Sequence, residues 1–152
     1  MLRRQALLTV GGLFLGGVAH AAAKELPLST SLQVELAAAL AARKPLVVMV
    51  SLHGCSWCRL VRESYLAPMR EQEGLHAVQI DMKSERMTLT PAGAQITHDA
   101  LVRELRVKIA PTVLFFGAGS KEVAERLVGG SPDFYGAYLD QRLKQAQRVM
   151  GV

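Results

Sequence analysis

Leu46-Val47-Val48-Met49-Val50-Ser51-Leu52-His53-Gly54-Cys55-Ser56-Trp57-Cys58 is the stretch that decides the reading of this chain. Residues 46–52 form a continuous apolar run, the pattern of a strand buried on both faces. The helical spacing that follows, with Leu60, Val61, Tyr65, Leu66 and Met69 recurring at three and four, predicts a helix over 56–73. Cys55 therefore falls at a helix N-terminus, where unsatisfied backbone N–H groups and the positive end of the helix dipole favour thiolate over thiol. Cys58 lies one turn further on the same face, close enough for a disulfide spanning ~5.5 Å between Cα atoms. These are the chain's two cysteines. So short a loop restrains little of the unfolded chain, and stability has to come from the core. The pair is free for chemistry.

The N-terminus predicts where that chemistry takes place. Met1-Leu2-Arg3-Arg4 is basic, Ala6 to Val18 is apolar, and Ala19-His20-Ala21 offers a small-residue cleavage site. This is the layout of a secretory signal peptide over residues 1–21. The apolar stretch is shorter than the ~20 residues of a spanning helix. Arg3-Arg4 fits either the general secretory or the twin-arginine route. A periplasmic protein is expected. The formal charge of +5 comes from 18 basic against 13 acidic residues; without Arg3 and Arg4 it is 16 against 13. No basic block interleaved with aromatics is present, which argues against nucleic acid as a partner.

Further elements follow from periodicity. Residues 29–43 predict a helix capped by Ser29 or Ser31, so that 22–45 is a helical extension ahead of one domain over 46–152. Pro68 predicts a kink or break near Ala67, and Gly74 closes that helix. A second strand is expected over 76–82, with Val78 and Ile80 inward. Residues 83–97 have no period and contain Thr90-Pro91-Ala92-Gly93, which predicts a loop or insertion. A short helix is expected over 99–105, then strands over 112–116 and 122–128 as a hairpin. Ser131 caps, and Pro132 begins, a last helix reaching Met150. The order implies an α/β fold, a mixed four-stranded sheet with helices on both faces.

The strand entering Cys55-Ser56-Trp57-Cys58, Ala110-Pro111-Thr112 ahead of Val113-Leu114-Phe115-Phe116, and Gly129-Gly130 before the last helix together resemble the thioredoxin family over roughly residues 45–145. The resemblance implies a thioredoxin-like fold. It implies that Pro111 is cis beside the disulfide, with the backbone at Ala110 and Pro111 pairing with an extended substrate. Asp81 matches a position often acidic in the family. Among members, the small exported reductases are the most similar. Two departures stand out. Met49 occupies the position where many members bury an acid that moves protons for the second cysteine, which leaves His53 or water for that task. The Ser56-Trp57 dipeptide lacks the histidine of strongly oxidising members, which favours a reductase.

The expected chemistry is exchange through a redox-active Cys55–Cys58 disulfide with no other cofactor. Cys55 attacks a substrate disulfide, and Cys58 resolves the mixed disulfide. Trp57 shields the pair and contacts substrate, or else rests on the surface. Arg59 and Arg62 are read as a solvated helix face. Met82 and Met87 are read as packing residues. The expected partners are an exported protein as substrate and a membrane-bound electron donor, with the chain itself a monomer; residues 83–98 are the segment to examine for specificity. One rival is a disulfide-donating oxidase. Another is an exported copper carrier using Cys55, Cys58 and His53, with Met87 or His98 completing the shell. A third is a binding module without exchange chemistry.

Overall fold

A computed structural model describes residues 25–131 and 133–152; the expected signal peptide and Pro132 lie outside them. Helix α1 (Leu32–Ala41) leads into β1 (Leu46–Ser51), and a long helix follows in three parts: α2 (Ser56–Val61), a π-helical turn over Arg62–Leu66, and α3 (Ala67–Glu73). Next come β2 (Ala77–Asp81), β3 (Met87–Leu89), β4 (Gln95–Thr97), α4 (His98–Glu104), β5 (Thr112–Phe116), β6 (Leu127–Val128) and α5 (Tyr135–Met150). The main sheet has the order β2-β1-β5-β6. β1 is parallel to β2 and antiparallel to β5, and β6 is antiparallel to β5. This is the expected mixed four-stranded α/β sheet.

The unbroken apolar character of β1 follows from its two-sided burial. Val47 and Met49 join Val113 and Phe115 in a core layer with Cys58, Val61, Leu66 and Leu139. Leu46, Val48 and Val50 join Leu114 and Phe116 in the other, against Leu32, Leu36, Leu101 and Val102. Thus α2, α3 and α5 cover one face and α1 and α4 the other. Each fully buried aliphatic side chain in these layers contributes about 1.5–3 kcal/mol. Among the described residues no helix is long and apolar enough to cross a membrane.

Several expectations are corrected. Of the kink or break expected near Ala67, the break does not occur: the helix continues past Pro68. The chain widens instead into the π-helical turn, in which the Ala67 N–H reaches back five residues to the Arg62 carbonyl. This extra residue per turn accommodates a proline that lacks an N–H and crowds the preceding turn. Gly74 ends α3 in the left-handed region (φ 65°), as expected. Residues 83–97 are not a loop: β3 and β4 pair as a hairpin with Thr88 opposite Ile96. Three-residue strands are too short to show a period. The strand expected over 122–128 shrinks to two paired residues, because Glu122 makes a single bridge to Phe116 before Val123 and Ala124 turn into the core. Ser131 does not cap α5; its hydroxyl donates to the Asp133 carbonyl (3.4 Å), and Phe134 takes the cap position at φ 64°.

At the other end, Ser31 rather than Ser29 caps α1, its Oγ accepting from the Val34 N–H (3.2 Å). Ser29 is fully buried because residues 27–29 lie along β2. The Ser29 N–H donates to the Gln79 carbonyl (2.8 Å), and the Gln79 N–H donates to the Pro27 carbonyl (2.9 Å). This segment covers what would otherwise be the open edge of the sheet.

Candidate active site

Gly54, at φ 75°, turns the chain from the end of β1 into α2, a conformation that costs an L side chain energy. The turn places Cys55 as the N-cap of α2, where its Sγ accepts from the Cys58 N–H at 3.1 Å. Cys55 and Cys58 are joined as a disulfide with 5.2 Å between their Cα atoms. Cys58 is 1% exposed, whereas Cys55 is only partly buried. An incoming nucleophile or disulfide therefore meets Cys55. Once the bond opens, the Cys58 N–H stays aimed at the Cys55 sulfur and stabilises negative charge there.

The start of β5 forms the second wall. The Ala110–Pro111 bond is cis, and the Ala110 carbonyl oxygen lies 3.8 Å from Cys55 Sγ. The Thr112 hydroxyl donates to the Ile109 carbonyl (2.7 Å), and the Gly129 N–H donates to the Pro111 carbonyl (2.7 Å). Trp57 packs across Gly130, where a Cβ would sit 2.9 Å from the Trp57 Cβ. Trp57 keeps 42% of its surface exposed and Ile109 keeps 54%, so an apolar rim borders the disulfide on this side.

On the β2 side of Cys55 lies a cleft of about 580 Å³. His53, Arg59, Arg62, Gln79, Asp81 and Lys83 line it. Arg62 departs from the solvated face read for it: its side chain is 16% exposed, and Nη1 donates to Gln79 Oε1 (3.1 Å). Gln79 Nε2 in turn donates to Asp81 Oδ1 (2.7 Å). Arg59 and His53 are exposed on the cleft. Lys83 and Ser84 belong to the segment 83–98 expected to bear on specificity, whereas Gln79 escaped the sequence reading because nothing in its spacing ties it to Cys55; only the parallel register of β1 and β2 does.

His98 is not available as a metal ligand. It is fully buried, its Nδ1 accepts from the Asp81 N–H (3.1 Å), and its Nε2 lies 2.8 Å from the Ser29 carbonyl. These contacts fix the tautomer with the proton on Nε2. Met87 is 44% exposed on the β3–β4 hairpin. Among the described residues no three His, Cys, Asp or Glu side chains come together. The copper-carrier reading gains nothing from this arrangement.

A family model described as a thioredoxin-like domain matches residues 32–147. The chain belongs to the thioredoxin-like family. Oxidised thioredoxin O2 from Arabidopsis thaliana superposes on this thioredoxin-like chain with a TM-score of 0.51 at 18% identity, over 75% of this chain and 93% of that one. A protein described as DsbH oxidoreductase gives 0.56 at 20% identity, over 91% and 95%. Thioredoxin NaTrxh from Nicotiana alata gives 0.51 at 19%, over 81% and 99%. Such identities establish the fold. No curated protein sequence matches the chain.

Within this thioredoxin-like site, Met49 is fully buried in the same layer as Cys58, so that position carries no carboxylate. The contact between Trp57 and Gly130 yields a prediction. Gly130→Ala forces Trp57 off its seat, since a Cβ at 2.9 Å is closer than van der Waals contact allows. Trp57 is the chain's single tryptophan, so its emission reads the displacement directly. An emission shift is expected; an unchanged spectrum would show that Trp57 has no fixed seat.

Proposed function

We propose that this protein is a periplasmic thiol–disulfide oxidoreductase that reduces disulfides of exported proteins. The observation that carries the reading is the asymmetry of the Cys55–Cys58 disulfide, with Cys55 reachable beside the Ala110 carbonyl and Cys58 buried. In the reduced protein the Cys55 thiolate attacks one sulfur of a substrate disulfide. That bond breaks, and the departing substrate thiolate takes up a proton. Cys58 then gives up its proton and attacks Cys55 Sγ, which expels the second substrate thiolate. Two electrons pass to the substrate, and the Cys55–Cys58 disulfide re-forms.

The backbone at Ala110 serves as the platform for an extended substrate, and Trp57 and Ile109 cover its apolar side chains. His53, exposed at the cleft, or water takes the role that a buried acid would play at Met49. A membrane-bound dithiol donor recharges the protein, which acts as a monomer. Export rests on the basic start and small-residue cleavage site of residues 1–21.

The redox potential of the cysteine pair in glutathione or dithiothreitol buffers tests the direction of flow. A value near ~−270 mV supports a reductase, and one near ~−120 mV makes the protein a disulfide donor. A pair that does not cycle would sink the exchange reading.

A further inference from the structure

The two sides of Cys55 differ in character. Toward β5 the surface is apolar, with Trp57 and Ile109 exposed beside Ala110. Toward β2 it is the charged cleft. We propose that this cleft makes the protein select disulfides flanked by acidic residues, with Arg59 and Lys83 receiving the carboxylates. The inference rests on the reductase reading and names its substrate class.

The charges of the lining carry the argument. Three permanent cations, Arg59, Arg62 and Lys83, face one carboxylate, Asp81, whose Oδ1 already accepts from Gln79. Arg59 and Lys83 are exposed and make no side-chain hydrogen bond or ion pair among the described residues. Arg62 is held by Gln79 and by an ion pair with Glu25 (Nε to Oε2, 3.5 Å), whose side chain is 80% exposed and lies outside the lining. That Nε is buried and makes no hydrogen bond. Set against the carboxylates of Asp81 and Glu25, the three cations leave one positive charge in excess, with Arg59 and Lys83 free to meet a ligand, and Ser56 and Ser84 add hydroxyl donors to the cleft.

Position supplies the second half. β1 lies between β2 and β5, so a chain that crosses Cys55 from the Ala110 platform runs next into the cleft. At about 580 Å³ the cleft has the size of a small-ligand site and accepts side chains next to the attacked cysteine. Carboxylates at those positions meet the cations, whereas lysines there are repelled.

The test uses the reduced protein in single turnovers with cyclic peptides carrying one disulfide flanked by Glu, by Gln or by Lys. The second-order rate constants are expected to fall in that order. At low salt the Glu peptide should exceed the Gln peptide by about three- to tenfold. The ratio should approach one at ~0.5 M salt, where the Debye length is only a few ångström. In the double variant Arg59→Gln with Lys83→Gln the ratio should also fall close to one; both side chains are exposed, and the salt series on the unaltered protein gives a second measure that does not depend on the variant. Equal rates on the three peptides overturn the proposal, even if glutathione disulfide, the small-molecule source of the same carboxylates, is reduced faster. So does a Glu preference that persists in the double variant. If the Gln peptide is not reduced either, the exchange reading itself fails, and the proposal with it.

Discussion

Cys55→Ala should lower disulfide exchange on the order of 10³-fold or more, because no other nucleophile can replace it. The chain has two cysteines, and the second is 1% exposed beneath the first. A substrate disulfide cannot reach Cys58 without unpacking the layer that holds it against Val61 and Leu66. Cys58→Ala should behave differently. The Cys58 backbone N–H, which donates to Cys55 Sγ, survives the substitution, so the first attack remains fast. What disappears is the only protein sulfur able to release the mixed disulfide. Covalent adducts should therefore accumulate at Cys55 and be visible on non-reducing gels, dissolving on addition of dithiothreitol. Normal turnover by Cys58→Ala without any adduct would contradict the two-step exchange and point to an external thiol as the resolving group.

The parts of the fold that could be read from sequence are those in which one physical cause dominates. β1 is legible because both of its faces are covered, so burial leaves no room for polar alternation between residues 46 and 50. Cys55 is legible because a strand, a glycine and a helical period fix its place in succession. The β3–β4 hairpin is not, because its strands are held by contacts distant in sequence. The Leu89 N–H donates to the Thr30 carbonyl (3.3 Å), and the hydroxyls of Thr88 and Ser29 meet at 3.0 Å. Pro68 misleads for a related reason. Its local effect is real, but the cost is met by a π-helical turn that keeps Leu66 and Ala67 in the core rather than by ending the helix. Arg62 lies one turn beyond Arg59 on the same helix face, and both line the cleft; the Gln79 side chain of β2, which no local pattern announces, is what takes Arg62 out of solvent. Trp57 was legible as a neighbour of the disulfide, whereas its seat on Gly130 depends on a loop more than seventy residues away.

His98→Leu should destabilise the protein by about 2–5 kcal/mol, a large fraction of the stability of a domain of this size. The ring is fully buried, and each nitrogen serves a backbone group: the N–H of the partly buried Asp81 on one side and the carbonyl of the fully buried Ser29 on the other. Leucine fills a similar volume but leaves both groups unpaired, and each costs about 1–3 kcal/mol when buried without a partner. The imidazole joins three parts of the chain. Ser29 belongs to the segment on the sheet edge, Asp81 ends β2, and His98 itself begins α4 directly after the hairpin. Loss of the ring should therefore show in urea unfolding midpoints and, more specifically, in faster hydrogen exchange at the Asp81 and Gln79 amides, while exchange inside β5 stays slow. The consequence reaches the cleft, since Asp81 is bound to Gln79 and Gln79 to Arg62. A destabilisation below ~1 kcal/mol, within the range of an ordinary surface change, would mean that water takes over both hydrogen bonds and that the edge segment is held by its backbone pairing to Gln79 alone.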